Sequence, residues 1–145
     1  MDASKLAKVM KPIVAVVGMQ NKLLVKIPGV GQKMVEGSSK GLGKVVPHLG
    51  FLGFRKEPSY ENAVWNWEIY LALLGAEYEK EVKGPQETTY KFTKCPAGYA
   101  KPGDLSACVA TMKLDHTIVE LSGARLIVEK CMPNDGVCVE TLVAP

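Results

Sequence analysis

The chain has 145 residues, of which 47% are hydrophobic and 23% are charged. This composition is typical of an ordinary globular protein and excludes a disordered chain or a fibrous repeat, so we predict a single domain over residues 1–145. The formal net charge of +3 is too small to indicate a nucleic-acid binder. No run of about 18 apolar residues occurs, which excludes a transmembrane span on length.

Charge is distributed unevenly along the sequence. Residues 1–60 contain ten Lys or Arg and three Asp or Glu, whereas residues 61–145 contain eight and twelve, which gives +7 and −4 by subtraction. Such polarity can steer an acidic partner or an anionic ligand toward the N-terminal half. The alternative is a solvated basic helical surface without a partner.

The first part of the chain has lysines ahead of the apolar stretch 12–19, as a secretion signal does. The stretch is short, has no small-residue cleavage pattern after it, and runs directly into polar residues at 20–22. We therefore predict no signal peptide and a cytoplasmic location.

Residues 1–58 predict a helical N-terminal part. Ser4 is placed to cap a first helix, and Pro12 is expected to kink that helix or to begin the next turn. The following stretch, 13–25, is apolar on most sides and is predicted to be buried. A second amphipathic stretch, 34–46, contains glycines at positions 37, 41 and 43, which predict a weak or broken helix.

Residues 59–145 predict an α+β part. Its first helix begins at Ser59, carries both tryptophans as a predicted core stripe, and ends at Gly75. Period-two patterns then predict two antiparallel strands, a helix, and a hairpin with a four-residue loop. The predicted bounds are 76–82 and 88–95 for the first two strands, 105–121 for the inserted helix, 125–131 and 137–143 for the hairpin strands, and 133–136 for its loop. The fold class is therefore α+β, with N-terminal helices before a small antiparallel sheet.

The four cysteines, at Cys95, Cys108, Cys131 and Cys138, all lie in the C-terminal half. Clustered thiols of cytosolic proteins are more often metal ligands or redox centres than structural bridges. With a loop at 133–136, Cys131 falls opposite Cys138, with Cβ atoms about 4.5–5.5 Å apart. That separation is long for a disulfide, whose Cβ atoms lie about 3.8 Å apart, so it favours a shared metal ion.

All four thiols can converge. Cys108 shares a face of the inserted helix with Met112, Asp115 and Val119, and Cys95 ends a strand that can lie beside the hairpin. Four thiolates indicate a zinc site or an iron-sulfur cluster, although no CxxC pair is present. Two alternatives stay open, namely buried cysteines that act as small hydrophobic residues and a redox disulfide between Cys131 and Cys138.

Asp115 and His116 are the candidate catalytic residues, as an acid and an imidazole in a largely apolar helix. Asp115 is the better aimed, because His116 lies about 80° around the helix from Cys108. Their alternative role is an exposed helical edge. Glu129 is predicted on the Cys131 face as a ligand or an orienting group, unless Arg125 on that face neutralises it.

These residues carry a resemblance to known families. Residues 90–96 read Tyr-Lys-Phe-Thr-Lys-Cys-Pro, Cys108 stands seven residues before Asp115, and Cys138 follows a strand and a polar turn. Over residues 60–145 the sequence resembles the L-2-amino-thiazoline-4-carboxylic acid hydrolase-like family. The same segment is similar to the 4-vinyl reductase-type sensor domain, in which the matching zinc ligands would be Cys108, Glu129, Cys131 and Cys138.

The resemblance implies a small metal- or cluster-binding domain. If it is an enzyme, it would hydrolyse a carbon-nitrogen bond of a cyclic amidine-like substrate, with a metal-bound water and Asp115 or His116 moving protons. The alternatives are a non-enzymatic sensing or accessory domain with a structural metal, and a thiol redox protein. A small-molecule ligand is expected, and the N-terminal helices are candidates for contacting a second copy or a protein partner.

Overall fold

The computed structural model describes residues 3–145, with side chains from Ser4 onward, so the first two residues of the predicted helical part lie outside the described residues. The α+β class is confirmed, with helices ahead of an antiparallel sheet and one long helix inserted between its strands. The α-helices are α1 (Ala3–Leu24), α2 (Gly31–Val45), α3 (Tyr60–Leu74), α4 (Leu105–Ser122) and α5 (Met132–Asp135), and the strands are β1 (Glu79–Gly84), β2 (Glu87–Phe92), β3 (Arg125–Lys130) and β4 (Cys138–Val143).

The sheet has the order β1-β2-β4-β3, so both predicted hairpins form and join along β2 and β4. Because side chains alternate along a strand, Tyr90, Phe92, Glu140 and Leu142 all face inward. Helices α3 and α4 cover this inner face, and their buried residues form one core with it. Tyr90 lies directly opposite Glu140, at the centre of the sheet.

The two ends of helix α3 are formed by the capping residues that the sequence predicts. The Ser59 side chain accepts a hydrogen bond from the Asn62 backbone N–H at 3.1 Å, and Gly75 ends the helix with a positive φ of 65°. The predicted tryptophan core is half correct. Trp67 is buried, whereas Trp65 lies at the surface with the Arg55 guanidinium 4.1 Å from its ring centre.

Helix α1 differs from its prediction. It continues through Pro12 as one helix, and the stretch 13–25, predicted to be buried, is largely exposed. Among residues 4–24 of this helix, Gly18 and Asn21 are the buried ones. Gly18 packs on the backbone of Ala97, and a Cβ atom there would lie 2.1 Å from the Ala97 carbonyl oxygen. An apolar stretch indicates residues that favour burial, but it does not show whether the fold has other residues to cover them.

None of the helices within residues 3–145 is both long and apolar enough to cross a membrane.

Helix α2 corrects a second prediction, because its three internal glycines do not break it. Gly43 lies against α4, where a Cβ atom would stand 2.7 Å from the Thr117 Cβ and 2.9 Å from the Leu114 carbonyl oxygen. Gly41 has nothing within 4 Å of such an atom. Close helix packing therefore requires a glycine at position 43, and the packing gained there offsets the low helix propensity.

We expect alanine at these two glycines to have opposite effects on stability. Gly43→Ala should lower the free energy of unfolding by roughly 1–3 kcal/mol, because the added methyl group separates α2 from α4. The control, Gly41→Ala, should raise it by about 0.5–1 kcal/mol through helix propensity alone. Urea unfolding followed by circular dichroism measures both. Equal effects of the two substitutions would contradict the close packing of these helices.

Candidate functional site

A cavity of about 380 Å³ lies between the helices and the inner face of the sheet. Its wall is almost entirely apolar, with side chains from α1, the two short 3-10 turns after α2, α3 and β2. Cavities of this size, lined by apolar side chains with a few polar groups, are the usual form of a small-molecule site. The polar groups of this cavity therefore decide what it can hold.

Two carboxyl groups face the cavity, one from a helix and one from a strand. Asp115 comes from α4 and Glu140 from β4, and both line the cavity. Glu140 is only 5% exposed, because it lies between Cys138 and Leu142 on the inward row of β4. Tyr70, from α3, lines the same cavity, and its hydroxyl lies close enough to the Asp115 carboxyl group to lower the pKa of that acid. Three different elements thus bring one phenol and two acids to the same cavity.

Burial makes both acids weak. Desolvation raises the pKa of Asp115 well above its usual range, against the opposing hydrogen bond from Tyr70. Desolvation raises the pKa of Glu140 as well, and the nearby charge of Asp115 raises it further. Asp115 keeps some accessible surface, but that surface lines the apolar cavity, so the charged form gains little solvation there. Burial therefore favours the protonated, neutral form of both carboxyl groups.

Cys138 belongs to the same group of residues. Its thiol donates a hydrogen bond to the Glu140 Oε1 atom at 3.4 Å. Burial, followed by the charge of Glu140, raises the pKa of Cys138. A thiol with a raised pKa is a poor nucleophile, because the thiolate is the reactive form.

The other three cysteines form a neighbouring cluster. Buried Cys108 packs with Tyr99, and half-buried Cys95 and Cys131 pack against them. Burial raises the pKa of Cys108 to about 12, with smaller contributions from Cys95 and Cys131. Of the four thiols predicted to converge, three therefore lie in one cluster. Cys138 lies outside that cluster, next to Glu140.

The position of Cys95 differs from its prediction. Strand β2 ends at Phe92, so Cys95 lies in the turn beyond the strand, where its carbonyl oxygen accepts a hydrogen bond from the Gly98 N–H at 3.0 Å. The predicted loop 133–136 is helical as α5, and the Asp135 carboxylate accepts a hydrogen bond from the Cys131 N–H at 2.9 Å. Cys131 therefore lies just beyond the end of β3. The predicted register holds only for Lys130 opposite Val139, since the pairs from Arg125 to Val128 are shifted by one residue.

Of the two candidate catalytic residues, the structure brings only Asp115 to the cavity. It shares the cavity wall with Cys108 and Met112, which confirms the predicted helix face. His116 is not part of that wall. It is half-buried, and desolvation lowers its pKa, so it stays neutral to a lower pH than a free histidine.

Glu129 was predicted on the Cys131 face, and this is wrong. The ladder between β3 and β4 has an irregularity between Val128 and Lys130, so the simple alternation of side chains fails there. Glu129 lies on the open face of the sheet, where the Thr141 hydroxyl donates to its Oε1 atom at 2.7 Å. Cys131 packs instead into the cysteine cluster.

Within residues 3–145, no group of three or more His, Cys, Asp or Glu side chains is arranged to hold a metal ion. The zinc or iron-sulfur site at Cys95, Cys108, Cys131 and Cys138 therefore stays a prediction. In the arrangement described here these four side chains do not form a ready ligand set.

Sequence reasoning missed Glu140 and Tyr70. A signal for Glu140 was available, since it occupies the inward position between Cys138 and Leu142 in a period-two strand. An acid on the buried face of a strand is uncommon and often functional. Tyr70 gave no such signal, because a tyrosine on an apolar helix face is usually core.

No protein-family model matches this sequence. A search of curated proteins gives no match either. The resemblance to the hydrolase-like family and to the 4-vinyl reductase-type sensor domain therefore stays a prediction.

We expect Glu140→Gln to change stability in a pH-dependent way. The pKa of Glu140 is higher in the folded protein than in the unfolded chain. Between about pH 4 and 8 Glu140 therefore ionises more readily in the unfolded chain, which lowers the free energy of unfolding of the wild type as pH rises. Glutamine cannot ionise, so it removes this loss of stability, and its side-chain oxygen still accepts a hydrogen bond from the Cys138 thiol. The variant should therefore match the wild type near pH 4 and exceed it by roughly 1–3 kcal/mol near pH 8.

Chemical unfolding at several pH values measures this difference. Glu129→Gln, on the opposite face of the sheet, is the matched control and should show no such trend. A stability difference for Glu140→Gln that is the same at every pH would contradict the raised pKa.

Proposed function

We propose that this protein is a binding or sensing domain for a small, largely apolar molecule that carries a positively charged amine. The observation that carries the proposal is the pair of carboxyl groups, Asp115 and Glu140, facing a largely apolar cavity whose lining also includes the exposed Lys94. The apolar wall would take the hydrocarbon part of the ligand through the hydrophobic effect. The carboxyl groups would take its charged end.

The electrostatics of the site support a cationic ligand. Each acid alone is held neutral by burial, and the charge of Asp115 disfavours ionisation of Glu140. An ammonium group between them would favour the carboxylate form, because an opposite charge at short range stabilises it. The Tyr70 hydroxyl, which favours the ionised form of Asp115, would support that carboxylate.

Binding is better supported than catalysis. The cavity thiols Cys108 and Cys138 both have raised pKa values, which disfavours a thiolate nucleophile and a thiol redox cycle. The predicted catalytic partner, His116, lies outside the cavity wall. Of the predicted catalytic pair, Asp115 alone would be placed to move a proton in the hydrolase reaction that the resemblance implies.

We expect octylamine to bind more tightly than octanol, which has the same chain without the charge. Asp115→Asn should remove the preference by weakening amine binding at least about tenfold, while octanol binding changes little. Glu129→Gln, outside the cavity, should behave like the wild type. Titration calorimetry or displacement of an apolar fluorescent dye gives the affinities. Equal affinity of the wild type for the two probes would overturn the proposed recognition of an amine.

The pH dependence of octylamine binding provides an independent measurement. The charged amine needs an ionised carboxyl group, so its affinity should rise as pH rises through the elevated pKa values of the two acids. Below a pH of about 10 the amine itself stays protonated. Octanol affinity should stay flat over the same range. An amine affinity that falls with rising pH would contradict the proposal.

A second candidate function is thiol-ligated metal or cluster binding, as the sequence predicts. Its support is the single cluster that contains Cys95, Cys108 and Cys131. Binding would require these side chains to move together and lose their protons, and the pKa of about 12 for Cys108 opposes that loss without a metal.

Metal analysis of protein purified without oxygen tests this second candidate. About one zinc per chain, or iron with sulfide, that is lost in Cys108→Ser would establish it. Four titratable thiols and no metal would remove it and leave the amine-binding proposal intact, because that proposal uses the carboxyl groups alone.

A further inference from the structure

Helix α1 exposes a continuous apolar surface. Val9, Val16 and Leu23 recur every seven residues and, together with Met19, form the surface that we name the α1 outer stripe. Their side chains are 59%, 58%, 63% and 60% exposed for Val9, Val16, Leu23 and Met19. At 1.5 Å per residue the stripe is about 21 Å long. An apolar patch of this kind on a soluble protein marks a surface that is covered when the protein acts.

Positive charge accompanies the stripe. Helix α1 contains four lysines and no acidic residue. Lys8 and Lys11 lie along one flank of the α1 outer stripe, and Lys5 lies at its N-terminal end. All three are exposed. Lys22 is engaged elsewhere, because its Nζ lies 3.2 Å from the Asp104 carboxylate. Within the described part of the chain Lys5, Lys8 and Lys11 form no ion pair, so their charge lies free next to the exposed apolar side chains.

This combination determines the kind of partner. A helix with lysines flanking an apolar face suits an anionic bilayer surface, where the apolar side chains enter the headgroup boundary and the lysines meet the lipid phosphates. A second copy of this helix fits less well, because pairing two stripes would bring two sets of lysines together. The charge of α1 therefore favours a negatively charged partner over self-association.

The opposite flank of the stripe adjoins the cavity. Ile13 and Val17, four residues apart on α1, line the cavity and lie beside Val9 and Val16 around the helix. The same helix therefore presents one face to the cavity and the adjoining face to solvent. A surface that rests on a bilayer here would place the cavity wall next to the lipid.

We propose that the α1 outer stripe, with Lys5, Lys8 and Lys11, docks this protein reversibly onto the surface of an anionic lipid bilayer. The proposal goes beyond ligand binding in the cavity, since it uses no cavity polar group. The two proposals fail separately, because amine binding is measured without lipid.

Co-sedimentation with vesicles of equal parts phosphatidylglycerol and phosphatidylcholine, and with vesicles of phosphatidylcholine alone, tests the docking. We expect binding to the anionic vesicles that weakens as salt is raised, and little binding to the neutral ones. Lys8→Glu should weaken the binding about fivefold or more. The double substitution Val16→Glu with Leu23→Glu should weaken it more than about tenfold, because two charges would enter the apolar boundary.

The matched controls lie on strand β1, an edge strand of the sheet. Val82→Glu replaces a valine that is 66% exposed, and Lys83→Glu replaces an exposed lysine. Both should bind vesicles as the wild type does, and circular dichroism should show all variants folded. Three results would overturn the proposal: no binding to anionic vesicles, equal weakening by the controls, or a concentration-dependent dimer that the Val16 and Leu23 substitutions abolish while vesicle binding is absent.

Discussion

The pairing of β2 with β4 is the constraint on which the rest of the structure depends. It joins two hairpins that are far apart in sequence and places Tyr90 opposite Glu140 at the centre of one sheet. The inner row of β4 then brings Cys138, Glu140 and Leu142 under α3 and α4. Without this pairing Glu140 would not meet the helices, and the cavity would have no strand-borne acid.

Placing an acid on that row has an energetic consequence. The core around it is apolar, so the folded state is less stable at the pH at which Glu140 would otherwise ionise. A leucine at this position would pack with Leu142 and avoid that cost. Proteins tolerate buried ionisable groups mainly where the group serves a function, and the presence of a second acid, Asp115, on the same cavity strengthens that inference.

The two parts of the chain differ in how completely they are covered. Helices α3 and α4 and the sheet bury each other's apolar faces, whereas α1 buries only Gly18 and Asn21 among its described residues. Asn21 is tied there by hydrogen bonds to the Tyr99 and Thr111 side chains at 3.3 and 3.2 Å. Polar and backbone contacts therefore position α1, and its apolar side chains are left for the cavity and for the outer surface.

The sequence by itself determined α3, α4 and both hairpins of this protein. Ser59 and Gly75 set the ends of α3, the period-two runs set both hairpins, and the spacing of Cys108, Met112 and Asp115 set the cavity face of α4, because each of these signals is local in the chain. It did not decide what each element packs against. The exposure of α1, the turn that holds Cys95 and the bulge that separates Glu129 from Cys131 depend on neighbours distant in sequence. The meeting of Asp115 with Glu140 was likewise decided only by the tertiary structure, since a single chain pattern cannot specify which helix face lies over which strand.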